Sequence, residues 1–465
     1  MKKLVPVICL LFSVSVNSYG QDSTGVSATA YKKESFTYAG GFVRSGFYFW
    51  TDNSDHELYI PTAFSDLALK IETGNGTRVK AYADFRYRYG SEYQTAVSRP
   101  DLREAWIGYS TKKLTFSAGR KIIKYGRCDF TNPTSRMTPT DMLSRSPDRE
   151  DMDLANLLFS THYFPSEKID LEFVAIPFYR PSVLIIEPVK IPSFITLNKL
   201  PALLAGKDML SYSLKADFHF RHIDWSISWF DGYDPMPGIA LDKFDADLSN
   251  PVPLLSAILS FTPFKNRVAG FDFETSAGMT GIRGEAAYSF PHLSFRFAEY
   301  VPMPEIKWAL GADRTAGIWH FTAEYSGKYI TDFIPTDAEP LIGSNIDISQ
   351  IAELLLNPDF DIQYYVTQQI IAFNRLYNNQ IKNNYHSIAV KVEAGLGYNR
   401  YTPSFLAMYN ITSGDLLLIP EVRIRPLDGL TVTAGAEIYS GRKGSLYDLV
   451  DDFMNGAYMS LRFDF

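Results

Sequence analysis

The chain has 465 residues, of which 46% are hydrophobic and 15% aromatic, and it carries a formal charge of −7. Beyond residue 20 no segment approaches the roughly 20 consecutive apolar residues of a spanning helix, and the negative balance argues against nucleic acid as a partner. These bounds leave a large soluble β-protein or a barrel whose lipid-facing half is hidden by alternation.

The amino terminus points to export. Lys2 and Lys3 form a basic region, residues 4–16 an apolar one, and Ser18-Tyr19-Gly20 a cleavage site, so residues 1–20 read as a signal peptide. Cys9 lies inside the apolar run without the small residues that precede a lipidated cysteine. Removal of this leader takes away two lysines, shifts the charge to −9, and leaves Cys128 as the sole cysteine, so no intramolecular disulfide is expected. Residues 21–35 read as a flexible periplasmic lead-in and residues 36–465 as one continuous unit.

From residue 36 onward, alternation of apolar and polar residues recurs in segment after segment. A first strand is expected over 36–50 and another over 67–71. The cleanest alternation runs over 78–89, where Val79, Ala81, Ala83, Phe85, Tyr87 and Tyr89 share one face and Arg78, Lys80, Asp84, Arg86 and Arg88 the other. Further strands are predicted over 169–173, 210–220, 223–229, 269–273, 282–290, 319–325, 388–396 and 430–438. Short turns at 73–76, 110–113, 165–168, 277–279, 313–316 and 426–429 alternate with gaps near 126–153, 179–207, 233–263, 291–303, 329–384 and 442–455. Short periplasmic turns and long external loops are the asymmetry of an outer-membrane barrel. The expected fold is therefore all-β: a transmembrane antiparallel barrel of about 18 strands, both termini periplasmic. Sixteen strands would also fit, because 410–415 and 234–263 are ambiguous.

The last ten residues place Met459, Leu461, Phe463 and Phe465 on one face and Tyr458, Ser460, Arg462 and Asp464 on the other. This ending resembles the assembly signal of bacterial outer-membrane barrels. The resemblance implies that Phe463 and Phe465 are read by the barrel-assembly machinery, and that outer-membrane lipid and lipopolysaccharide surround the product. A second pattern consists of Arg103-Glu104-Ala105-Trp106, Gly119-Arg120-Lys121, Gly126-Arg127 and, later, Pro177-Phe178-Tyr179-Arg180-Pro181. It resembles a porin-like family of uncharacterised outer-membrane barrels, and more loosely the alginate-export and phosphate-selective porins, although Lys121 stands where those families usually have Gln. The likeness covers about residues 100–180 and implies a barrel; members of such families differ in cargo.

Motifs for chemistry are absent: no Gly-x-Ser-x-Gly, no His-Glu-x-x-His, no phosphate loop and no zinc-spaced cysteines. No enzymatic activity, cofactor or metal is expected; the alternative is a barrel hydrolase whose Ser/His or Asp/His site is assembled from residues distant in sequence. Asp148, Glu150, Asp151 and Asp153 supply hard oxygens suited to calcium but lack the spacing of a calcium loop, so they read as a solvated acidic rim.

Pore-lining candidates are Arg44, Lys70, Arg78, Lys80, Arg86, Arg88 and Lys121, interleaved with Asp84 and Glu104. An acidic wall opposite them would comprise Asp170, Glu172, Asp217, Asp272, Glu274, Glu285, Glu324, Glu393 and Glu437. Such walls set a transverse field across a lumen, or pair into ladders that keep it hydrated or closed. Segments 182–186, 194–204 and 251–259 are too apolar for solvated loops and must cover something. Residues 348–376 carry apolar positions at helical spacing, which predicts a helical pair acting as a lid. The reading is a channel for passive diffusion of small solutes. Alternatives are a gated conduit for hydrophobic or amphipathic molecules, suggested by the apolar loops, and a plugged adhesin or scaffold barrel.

Overall fold

A strand with one oily and one polar face is stable only if each face meets its own solvent and neither edge is left open. In the computed structural model, which describes residues 35–51, 57–76, 78–185, 188–189, 191–206, 208–247, 254–340 and 360–465, closure meets both demands. The leader and residues 21–34 lie outside the described residues.

An 18-stranded antiparallel meander forms the wall. Its strands are β1 (Phe36–Thr51), β2 (Leu58–Gly74), β3 (Val79–Glu92), β4 (Thr95–Ser110), β5 (Leu114–Lys121), β6 (Asn156–Ser166), β7 (Ile169–Ile176), β8 (Ser211–His219) and β9 (Ile223–Tyr233). They continue with β10 (Lys265–Ala277), β11 (Thr280–Pro291), β12 (Glu305–Ala316), β13 (Trp319–Ile330), β14 (Asn384–Ala394), β15 (Tyr401–Asn410), β16 (Leu416–Leu427), β17 (Leu430–Ser440) and β18 (Gly456–Asp464). The barrel closes where β18 pairs with β1, from Phe42 opposite Asp464 to Phe49 opposite Ala457. Gly41 and Phe465 extend the seam, exchanging N–H···O bonds of 2.9 and 3.1 Å.

Outward positions form an apolar belt that includes Val43, Phe47, Leu69, Ile71, Phe85, Leu102 and Ile107, all exposed. A belt of this kind is untenable in water and is what a bilayer requires. Met459, Leu461, Phe463 and Phe465 join it, whereas Tyr458 and Ser460 are buried on the inner side, as their parity predicts. The pleat of β3 is unbroken: Asp84 stays opposite Lys70, and Arg88 opposite Asp66. Its other neighbour carries a bulge. Asp84 faces Glu104 but Phe85 faces Leu102, so Arg103 is an extra residue in β4.

Two expectations change. The turn placed at 313–316 falls at 317–318, because β12 runs to Ala316 and Gly317, at φ +62°, makes the reversal. The ambiguous stretch 234–263 holds two strands that do not belong to the wall: residues 238–247 pair with 254–262, and 195–198 add to the latter in parallel. Helix α1 (Ile362–Tyr377), capped by the Asp361 carboxylate accepting from Tyr364 N–H, packs on this small sheet. Ile195, Ile239, Ala257, Leu259, Phe261, Val366 and Ile370 form their common core, with Leu184, Phe194 and Leu197 against it. The apolar loops therefore build a cap at the long-loop end. The first half of the predicted helical pair, 348–355, lies outside the described residues. A second helix, α2 (Leu446–Met454), precedes β18.

Candidate functional site

The connection between β5 and β6, residues 122–155, crosses the barrel interior and is held on both sides by charge. Its first half meets the acidic wall. Glu285 on β11 accepts from Cys128 N–H at 2.7 Å, Asn132 Nδ2 at 3.0 Å and Thr134 Oγ1 at 3.1 Å. Glu324 on β13 accepts from Asp129 and Phe130 N–H, both at 3.0 Å. Arg127 reaches Asp272 at 2.6 Å, Asp217 at 3.3 Å and Glu274 at 3.5 Å, while Arg283 on β11 pairs with Asp129 at 2.9 Å. Gly126 makes this approach possible. Its φ is +99°, and a Cβ there would stand 2.5 Å from Glu285 Oε1.

The second half of the loop meets the basic wall. Arg44 on β1, only 2% exposed, lies 2.7 Å from Asp66, 3.1 Å from Asp148 and 2.6 Å from Asp151. Asp151 also takes Arg86 at 2.6 Å and Arg103 at 3.4 Å. Asp148 takes Arg462 at 3.1 Å and Arg423 at 3.7 Å, and Arg145 reaches Glu437 at 2.9 Å. Burial by itself would raise the Asp151 carboxyl, but Arg44 and Arg86 outweigh it and hold that carboxyl well below the usual carboxylate range. The cations that meet the acidic cluster 148–153 are thus guanidiniums and Lys124, which contacts Asp153. The expected solvated rim is instead the loop's second anchor. Its sequence signal was the opposite sign to the Arg-rich wall, legible only once the loop turns inward.

The predicted site residues separate into groups. Arg44, Asp84, Arg86 and Arg103 gather at the Asp151 anchor, with Asp84 accepting from Arg86 at 3.3 Å. Arg88 is buried beside it, 2.8 Å from Glu92 and 3.6 Å from Asp66. Lys70 lies over the Phe42 ring at 6.0 Å, as do Arg44, Arg86 and Arg462 at 5.4, 5.4 and 4.1 Å. Lys80 and Lys121 sit nearer the short-turn end over Trp106, at 5.9 and 5.2 Å. Arg78 stands in the β2–β3 turn, apart from the rest, with an exposed bond to Tyr109 of 3.4 Å. Glu104 accepts from Ile122 N–H at 2.9 Å and so holds the start of the loop. In the family-like motif, Gly119 (φ +135°) lies where a Cβ would come within 2.3 Å of the Ala105 carbonyl, and Arg120 pairs with Asp101 at 2.9 Å. On the acidic wall, Asp170 and Glu172 bracket His162 at 3.1 and 3.3 Å, and Glu393 pairs with Lys391 at 3.0 Å.

Between the anchored loop and the facing wall lies a cavity of about 520 Å³, lined by Lys70, Arg86, Arg103, Lys391, Arg423 and Arg462 among others. Lys391, Arg423 and Arg462 were not among the sequence candidates, although the parity of the last strand had already turned Arg462 inward. A closed barrel with a long connection folded across its lumen invites comparison with channels. No family model matches the chain, and no curated protein matches it. Solved structures do. OccAB1 of Acinetobacter baumannii superposes with a TM-score of 0.52 at 8% identity, over 94% of this chain and 99% of that one. The fold is that of an outer-membrane porin. OccAB2 of the same organism gives 0.51 at 8% identity over 92% and 98%, and Pseudomonas aeruginosa OpdK, solved with vanillate, gives 0.51 at 9% over 92% and 98%.

Proposed function

We propose that the protein is an outer-membrane channel through which small solutes diffuse passively, with a preference for anions at its constriction. The observation that carries this reading is the set Lys70, Arg86, Arg103, Lys391, Arg423 and Arg462, which the barrel strands bring to the cavity beside the inward loop, where Asp129, Asp148, Glu150, Asp151, Glu421 and Glu437 also line it. Loop carboxylates neutralise Arg86 and, behind it, Arg44; Arg423, paired with Glu421 at 2.9 Å and with Asp148 at 3.7 Å, keeps its side chain 39% exposed. A cationic wall in a narrow, partly desolvated passage raises the local concentration of anions. On this reading the long loops face the cell exterior, the short turns face the periplasm, and Phe463 and Phe465 serve the assembly machinery. The test is planar-bilayer recording of the wild type and Arg423→Glu. Wild-type conductance with an anion-favouring reversal potential at low salt is expected, and charge reversal should move that potential toward cations. The shift should fade near 1 M salt, where the screening length is roughly 3 Å. A barrel that inserts without conducting would refute the channel, leaving a plugged scaffold.

A further inference from the structure

The cap contains a second site, away from the constriction. One cavity of about 390 Å³ is walled almost wholly by hydrophobic side chains, among them Met142, Met152, Leu184, Leu197, Phe373 and Phe453. These come from the inward loop, the apolar loops, α1 and the α2 segment, so the cavity lies where the elements of the cap meet. Next to it is a cavity of about 350 Å³ that also has Leu184, Pro237 and Phe261 in its lining but carries Arg99, Asp101, Asp141 and Arg180. The two share a wall, one apolar and one charged.

The charges in the second cavity are not all matched. Arg99 pairs with Asp141 at 3.1 Å, and Asp101 with Arg120 at 2.9 Å. Arg180 donates to the Ala155 carbonyl at 2.6 Å and, among the described residues, has no carboxylate at ion-pair distance. A half-buried guanidinium satisfied by one carbonyl keeps most of its five donors available and bears a desolvation cost that Asp101 and Asp141 offset only in part, which a bound anion would relieve. Its own burial, with Arg120 nearby, lowers the Arg180 guanidinium to about 10. Cavities of this size, mostly apolar with a few convergent polar groups, are the usual form of small-molecule sites. Methionines and aromatic rings suit an apolar chain of variable shape.

We propose that the cap binds an amphipathic monoanion, its charged group at Arg180 and its extended apolar body in the neighbouring hydrophobic cavity. The site names a class of solute for the channel reading, on which that part of the inference rests; binding itself does not depend on conduction. The inward loop contributes to both sites, but Arg180 and Leu184 line only the cap cavities, so the cap can be perturbed there.

The experiment is calorimetric titration of the full-length protein in lipid nanodiscs, with empty nanodiscs subtracted, using octanoate, octan-1-ol and acetate as probes. Octanoate should bind saturably, one per chain, and the alcohol and acetate at least tenfold more weakly. Arg180→Gln should weaken octanoate at least tenfold, and Leu184→Asn should weaken it through the apolar end. Heat-modifiable migration of each variant checks that the barrel is folded. Equal binding of octanoate and octan-1-ol with no effect of Arg180→Gln would overturn the anionic end; equal binding of acetate would overturn the apolar end. Loss of octanoate binding in Arg423→Glu but not in Arg180→Gln would move the ligand to the lumen and overturn the cap site. Conductance without saturable octanoate binding defeats this inference and leaves the channel standing. Saturable binding to a non-conducting barrel does the reverse.

Discussion

Asp151→Asn keeps the shape of the carboxylate on which Arg44, Arg86 and Arg103 converge but removes its charge. Those guanidiniums lie 2.6, 2.6 and 3.4 Å away, and Asp151 is only 11% exposed, so the pairs are buried ones whose breakage costs about 3–5 kcal/mol. The barrel wall has its hydrogen-bond ladder and does not depend on Asp151, so the cost falls on the attachment of residues 148–153. An uncompensated positive charge also appears beside the cavity. At about 8 Å an anion gains about 2 kcal/mol from it at an effective dielectric of about 20, reduced to about 1 kcal/mol by screening at 0.1 M salt, or roughly a fivefold enrichment. Single-channel recording should show higher conductance, more frequent current fluctuations from the loosened loop, and a reversal potential shifted toward anions. An unchanged conductance and reversal potential in a variant that still shows heat-modifiable migration would refute the anchor.

The same geometry fixes a pH response. Because the folded carboxyl of Asp151 is held low, its contribution is complete above the unfolded value of about 3.9 and is lost only as pH falls through the depressed folded value; wild-type conductance should therefore match at pH 7 and pH 4, and a rise between them would show that another group holds the loop. Gly126→Ala puts a Cβ against Glu285 at a backbone angle that costs about 1–3 kcal/mol, so it should raise conductance noise while the barrel stays folded. Arg88→Glu faces Asp66 and Glu92 with a like charge in a buried position, and is expected to lower the amount of inserted barrel on semi-native gels rather than to alter selectivity. Replacing Phe465, which is 56% exposed on the outer face, with a polar residue should leave export intact and reduce membrane insertion; normal insertion would separate the seam from the assembly signal.

Much of the wall was legible because its periodicity is imposed by two solvents. Each inward Arg86 or Arg88 and each outward Phe85 or Tyr87 must take its side wherever the pleat is unbroken, and the register of β3 against β2 keeps that parity throughout. The same logic placed Arg462 inside and Phe463 outside on the last strand. Turn lengths, set by local residues such as Gly278 and Gly429, both at positive φ, made the two ends of the barrel distinguishable. Residues 122–155 followed a different rule. Local sequence offers no reason for Asp148 and Asp151 to leave water, and their destination is decided by Arg44, Arg86 and Arg462, which are up to 314 positions away in the chain. The strands at 238–247 and 254–262 carry no local mark that separates them from wall strands, and only their pairing with each other and with 195–198 assigns them to the cap. Alternation and turn chemistry are local and survive in the sequence alone; which charges meet across a lumen, and which apolar loops share a core, depends on closure of the barrel, which brings distant segments within contact range.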